Sequence, residues 1–149
     1  LADGILIEHT LNDGASLNRV RSLHEDREGN LWIGTDSSGL HRLKKAALIT
    51  HSREDGLPAD SVVPIVEDHD GSLWIGGVCA GLIRFQAETS TVTQITGPSV
   101  GCVWSLHLDR KGTLWIGDQT HGVTQFKNGK FTTYTTKQGL SPGAVFSIY

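Results

Sequence analysis

The sequence predicts an all-β fold, a partial β-propeller of three complete four-stranded antiparallel blades with a leading D strand and a trailing A strand. Two observations predict it. A Leu-Trp-Ile-Gly run occurs three times, as Leu31–Gly34, Leu73–Gly76 and Leu114–Gly117, with 42 residues from Trp32 to Trp74 and 41 from Trp74 to Trp115. Between these runs lie turn signals rich in Gly, of which the chain has 18 in 149 residues. A period of about 40–45 residues carrying four short strands is that of a propeller blade.

The flanks of the motif repeat in register. Asp26, Asp68 and Asp109 each precede the Trp by six positions, and Gly29, Gly71 and Gly112 by three. Leu43, Phe85 and Phe126 each follow the motif Gly by nine. The one missing residue therefore falls between Phe85 and Asp109, in a connection, where a length change costs little. The implied blade units are about 20–54, 62–96 and 103–136 within a single fragment, 1–149.

Each unit divides into strands A to D. The innermost, A, reads Val20–Asp26, Val62–Asp68 and Val103–Asp109, followed by a Gly-bearing turn. Strand B is the Leu-Trp-Ile-Gly run, apolar without alternation, as a strand covered on both faces should be. Strand C sets Leu40 against Leu43, Leu82 against Phe85 and Val123 against Phe126. Residues three apart face opposite ways, so both faces of the sheet are buried. Strand D is polar and Thr-rich, as in Phe131–Thr136, and suits an outer edge. Asn128-Gly129 is a type I′ hairpin signal joining C to D. Pro64 would argue against a central strand, but strand A lines the axial channel, where a missing N–H breaks no ladder bond. Ile5–Thr10 reads as the leading D strand and Val145–Tyr149 as the trailing A strand. Three blades cannot close a ring that needs roughly 4–8. With no Met in the chain, it reads as a segment of a longer protein, with two apolar flanks that the remaining blades of the parent chain would cover.

Composition excludes several classes. The net charge is −3 and the densest basic spot is Lys44-Lys45, so no clustered basic face exists for nucleic acid. No apolar run reaches the ~18 residues of a membrane span, so direct membrane contact by this segment is not expected. The seven His residues show no metal-ligand spacing, and no nucleophile elbow is legible. Neither a cofactor, a metal nor a catalytic residue is predicted.

The run Val20-Arg21-Ser22-Leu23-His24-Glu25-Asp26-Arg27-Glu28-Gly29-Asn30-Leu31-Trp32-Ile33-Gly34-Thr35 resembles the two-component regulator propeller repeat, as does Asp55-Gly56-Leu57-Pro58 leading into the next A strand. The resemblance implies the extracytoplasmic, periplasmic sensor part of a membrane-anchored bacterial signalling protein. Its output would be a histidine kinase, frequently hybrid with a phosphorelay, or a diguanylate cyclase. It also implies a receptor homodimer. A lyase-type enzyme propeller and a plain interaction scaffold are the alternatives. The sequence departs from the family pattern at Gly14-Ala15-Ser16 and at Gly97-Pro98-Ser99-Val100-Gly101, where Gly-Leu-Pro is expected.

A feature present in every blade is architecture. Asp26, Gly29, Trp32, Asp68, Gly71, Trp74, Asp109, Gly112 and Trp115 are therefore read as structural: turn carboxylates, left-handed glycines and ring fillers between blades. Sites are sought where repeats differ, on the rim that the D–A and B–C connections share. Asn18, Arg21, Asp36, Asp60, Trp104, Asp118 and His121 are the candidates there for an oligosaccharide or other small-molecule ligand. Trp104 is the one Trp outside the motif, and Arg21, Val63 and Phe146 hold its station in the other repeats. Packing between blades is its competing role. Cys79 and Cys102 fall on the same rim of adjacent blades. A disulfide between them is within geometric reach and suits an oxidising compartment, although two independent buried thiols are the commoner arrangement.

Overall fold

The computed structural model describes residues 19–44, 47–98 and 100–149. These residues form three four-stranded antiparallel sheets, each a meander in chain order. The first comprises β1 (Val20–Glu25), β2 (Leu31–Thr35), β3 (Leu40–Lys44) and β4 (Ala47–His51). The second comprises β5 (Val62–Glu67), β6 (Leu73–Gly77), β7 (Gly81–Gln86) and β8 (Thr91–Ile95). The third comprises β9 (Val103–Leu108), β10 (Leu114–Asp118), β11 (Val123–Lys127) and β12 (Lys130–Tyr134). The expected leading D strand, Ile5–Thr10, lies outside the described residues.

Each blade is fastened by one local device. The indole N–H of Trp32 donates to Asp26 Oδ2 at 2.7 Å, that of Trp74 to Asp68 at 2.9 Å and that of Trp115 to Asp109 at 3.1 Å. In the first and third blades the other carboxylate oxygen accepts turn N–H groups, those of Glu28 and Asn30 and those of Lys111 and Thr113. These bonds favour the ionised form. Backbone bonding from Thr113 leads in holding the Asp109 carboxyl down at about 2. At Asp26 burial opposes ionisation, but bonds from Asn30 and Trp32 outweigh it and keep the group below its ordinary value.

The blades meet through a contact that also repeats. Trp32 meets Phe85 of the second blade edge to face at 5.9 Å and 79°, and Trp74 meets Phe126 of the third at 5.7 Å and 74°. Around the first pair are Leu40, Leu57, Val62, Leu73, Ile75 and Ile83; around the second, Leu82, Val100, Val103, Leu114 and Ile116. Trp115 meets no Phe of a further sheet among the described residues. It is only half-buried and leans on Tyr134 of its own blade at 6.1 Å.

The motif glycine sets how close two blades come. A Cβ on Gly34 would lie 2.8 Å from Val62 Cγ1, and one on Gly76 would lie 2.5 Å from Val103 Cγ1 and 2.6 Å from Pro64 Cγ. At Gly117 the neighbours are Ser105 Oγ of the same blade and Val145, at 2.6 Å to its carbonyl oxygen. Residues 145–149 were expected as a trailing A strand. Val145 does take the station of Val62 and Val103, and its N–H donates to Asp118 O at 3.2 Å. Among the described residues 145–149 pair with no other strand, so they form no ladder and are not a strand.

The hairpin at Asn128-Gly129 is type I′, with φ of 50° and 74°. Pro64 sits where the β5–β6 register shifts between Val62 and Ile65. The connection before β5 and the one after β12 are built alike. Ser52 and Thr135 each cap a short 3-10 turn with a capping box, and Gly56 and Gly139 end it in the left-handed conformation. The connection before β9 runs eight positions from Ile95 to Val103, against eleven from His51 to Val62, and has no such turn among the described residues. In its place a disulfide joins Cys79, in the β6–β7 loop, to Cys102, just ahead of β9. Ser37 and Ser61 occupy the matching stations of the first junction, so the bridge is particular to the second.

Gly76→Ala is expected to destabilise the chain by about 1–3 kcal/mol through overpacking. Gly101→Ala, with nothing within 4 Å of its added Cβ, should be close to neutral; urea unfolding of both variants checks the contrast. Opening the disulfide releases a loop of 23 residues' separation, which chain entropy values at roughly 3 kcal/mol. Unfolding of Cys102→Ser, or of wild type with and without reductant, should show a loss of that order.

Candidate ligand-binding rim

The D–A and B–C connections do meet on one rim. Gly39 N donates to Asp60 O at 2.8 Å and Gly81 N to Gly101 O at 3.0 Å, each bond running from a B–C loop to the start of the next blade. Asp36 N to Arg19 O and Gln119 N to Cys102 O, both 3.1 Å, tie the same two loop types within a blade.

All three inner strands carry an irregularity at this rim. Val20 pairs with Thr35 and Ser22 with Gly34, leaving Arg21 as the extra residue. Val103 pairs with Asp118 and Ser105 with Gly117, leaving Trp104 extra. In β5 the shift spans Val63 and Pro64. The station at which the repeats differ is thus a β-bulge, which removes a residue from the ladder and re-aims its side chain. That frees the position from the packing constraint that fixes its neighbours.

The bulge residues are held differently. Arg21 donates from Nε to Asp36 Oδ1 at 2.8 Å, with Nη2 also at 2.8 Å, and Arg19 approaches Asp36 Oδ2 at 3.5 Å. Two guanidinium groups on one partly exposed carboxylate leave excess positive charge at the first blade's mouth. Trp104 is half-buried and meets Phe146 edge to face at 5.4 Å and 82°, while Phe146 itself is 67% exposed. Each motif Trp has an Asp acceptor for its indole N–H. Trp104 has none, although its Nε1 is buried. A buried donor without an acceptor costs stability, so this ring is not placed for stability alone.

The other candidates serve the rim's own structure. Asp118 is 1% exposed. Its Oδ1 accepts the N–H groups of Thr120 at 2.8 Å and His121 at 3.0 Å, and its Oδ2 that of Cys102 at 3.1 Å. Burial works against its ionisation, but these bonds prevail and lower its pKa. His121 Nδ1 lies 2.8 Å from Asp118 Oδ1. Asp60 Oδ1 accepts Arg53 N at 3.0 Å. Asn18 lies outside the described residues. Arg21 and Asp36 are brought together, as are Asp118 and His121, while Trp104 pairs with Phe146, which had entered only as its repeat equivalent.

On the opposite rim, a cleft of about 560 Å³ opens between the A–B turns of the first two blades, lined by Glu28, Arg42, Lys44, Glu67 and Glu88 among others. Arg42 lies over Trp32 at 5.3 Å with its Nε buried and unpartnered. Arg84, at the same station of the second blade, is bound by Asp68, Asp70 and Ser72. The sequence signal for this difference is Glu28 in the place of Asp70, one methylene longer. Among the described residues no three His, Cys, Asp or Glu side chains are grouped to share a metal ion, and no helix is long and apolar enough to cross a membrane.

No curated protein matches the chain in sequence. Among solved structures, it superposes on the extracellular domain assigned to the hybrid two component system BT3049 of B. thetaiotaomicron with a TM-score of 0.74 at 22% identity. That match covers 95% of this chain and 19% of the other. The extracellular domain assigned to the one component system BT4673 of the same organism gives 0.72 at 20% identity, covering 89% and 19%. A catalytically inactive virginiamycin B lyase from Staphylococcus aureus, with quinupristin, gives 0.70 at 20%, covering 89% and 45%. Identities this low establish the propeller fold alone, and the chain spans about a fifth of the length of the two extracellular domains. Residues 14–37 and 56–78 match the two component regulator propeller family. Those segments hold the first two blades' inner strands, turns and Leu-Trp-Ile-Gly runs, and the third blade, outside the match, repeats the same Asp, Gly and Trp stations: the likeness to the two-component regulator propeller family rests on two of the three repeats.

Proposed function

We propose that this chain is a non-catalytic sensor segment of the extracytoplasmic, periplasmic region of a bacterial hybrid two-component signalling protein. Its bulge-bearing rim would take a carbohydrate-type ligand. The observation that carries the reading is that the two non-aliphatic bulge residues, Arg21 and Trp104, stand on an otherwise repeated scaffold at the one inner-strand station packing does not fix. The half-buried Trp104 and the exposed Phe146 ring offer an aromatic surface for sugar stacking, and the Arg21 and Arg19 guanidinium groups offer charge-assisted bonds to acidic or hydroxyl groups. The propeller repeats and the fold shared with extracellular domains of signalling proteins support the sensing role. Ligand contact would bias two arrangements of a receptor homodimer, and only a difference in affinity between them can drive a kinase or cyclase output. An enzyme reading rests on likeness to the lyase, which extends to the fold alone.

Titration of the purified propeller with a panel of neutral and uronic-acid oligosaccharides, followed by calorimetry and tryptophan fluorescence, tests the reading. Trp104→Ala should weaken binding by about tenfold or more, or 1.4 kcal/mol, with the fold intact by circular dichroism. Binding unchanged in both Trp104→Ala and Arg21→Ala would overturn the rim as the ligand site.

A further inference from the structure

Two blade junctions lie among the described residues, and a titratable side chain at one station separates their cores. Leu40 pairs across its sheet with His51, Leu82 with Ile95 and Val123 with Tyr134. His51, Ile95 and Tyr134 are therefore the same station of successive blades. In the second junction Ile95 packs among Trp74, Val100 and Val103. The repeat thus shows that the architecture accepts an aliphatic residue here, and the first junction carries an imidazole instead.

That imidazole is 5% exposed. It stacks on Trp32 at 6.2 Å and 26°, and meets Phe85 of the next blade at 4.8 Å and 61°. Its Nε2 is buried without a hydrogen-bond partner. β2 and β7 present the Trp32 and Phe85 rings to it. The charged groups around it are Arg42 on β3 and Asp55 in the following 3-10 turn. A proton on Nε2 would create a donor with no acceptor, in a site where Arg42 already occupies the Trp32 face at 5.3 Å. Cation–π attraction is therefore largely committed before any imidazolium forms.

We propose that the junction between the first and second blades is an acid-sensitive joint: protonation of His51 loosens it, while the second junction, with Ile95 at that station and the Cys79–Cys102 bridge across its rim, stays closed. The sign follows from burial, which lowers the affinity of His51 for a proton below its ordinary value near 6.5, with Arg42 acting in the same direction and Asp55 against. The unfolded chain then binds the proton more readily than the folded one. Stability from this group is complete above about pH 6.5 and falls as pH drops through that value and below. The inference does not depend on what the rim binds.

Hydrogen exchange compares the junctions directly through Gly39 N–H, bonded to Asp60 O, and Gly81 N–H, bonded to Gly101 O. Between pH 7.5 and 5.0, after correction for intrinsic rates, protection at Gly39 should fall about tenfold or more relative to Gly81. In His51→Ile, which installs the residue of the second junction, that difference should vanish. An NMR titration of the wild-type imidazole needs no variant, and His51 should titrate below 6.5. A titration at or above the ordinary value, equal loss of protection at both junctions, or a difference that persists in His51→Ile would overturn the proposal.

Discussion

Everything in this segment depends on how near one small sheet can lie to the next, and the glycine ending each Leu-Trp-Ile-Gly run sets that distance. At Gly34, Gly76 and Gly117 the space a side chain would need is filled from two sides, by Ser22, Pro64 or Ser105 of the same blade and by the first valine of the following inner segment. That approach seats Val62 and Val103 in the junction cores. It also brings Phe85 under the edge of Trp32 and Phe126 under Trp74. The Asp–indole bond holds each Trp ring from within its own blade, so one local hydrogen bond and one missing Cβ together define a blade junction. Even Val145, with no strand to pair with, is drawn to the same place against Gly117.

Features repeated three times were legible in the sequence because repetition separates architecture from accident. The spacing of Asp26, Gly29 and Trp32 and their equivalents placed the turn, the ring and the close approach. Asn128-Gly129 fixed its hairpin through backbone preference alone. What stayed hidden depends on register and on contacts across blades. That Arg21 and Trp104 are bulge residues follows from a slip in the ladder opposite Gly34 and Gly117, which no residue type announces. Cys79 and Cys102 lie 23 residues apart. Their bond follows from two loops of adjacent blades meeting on one rim, and spacing alone favoured separate thiols. Asp118 looked like an available rim carboxylate, yet three backbone N–H groups from two connections consume it.

The scaffold divides labour among its stations. The ladder and the Trp–Phe contact of each junction recur, whereas the bulge is released from both constraints and so differs in every blade: Arg21, Val63, Trp104, and Phe146 at the matching point of the final segment. A rigid support carrying variable side chains on one rim is what ligand selection requires. The junctions are unequal as well, one holding a buried imidazole and the other an aliphatic residue beneath a covalent bridge. A propeller segment assembled in this way can yield at a chosen seam while the rest keeps its shape.

The most direct measurement of the central constraint is a double-mutant cycle between Gly76 and Val103, read by urea unfolding. If the glycine is required because Val103 fills its side-chain space, Val103→Ala relieves part of the clash. The two substitutions should then couple by about 1 kcal/mol or more in the compensating direction. Effects that simply add, within roughly 0.3 kcal/mol, would show that the close approach does not set the blade spacing.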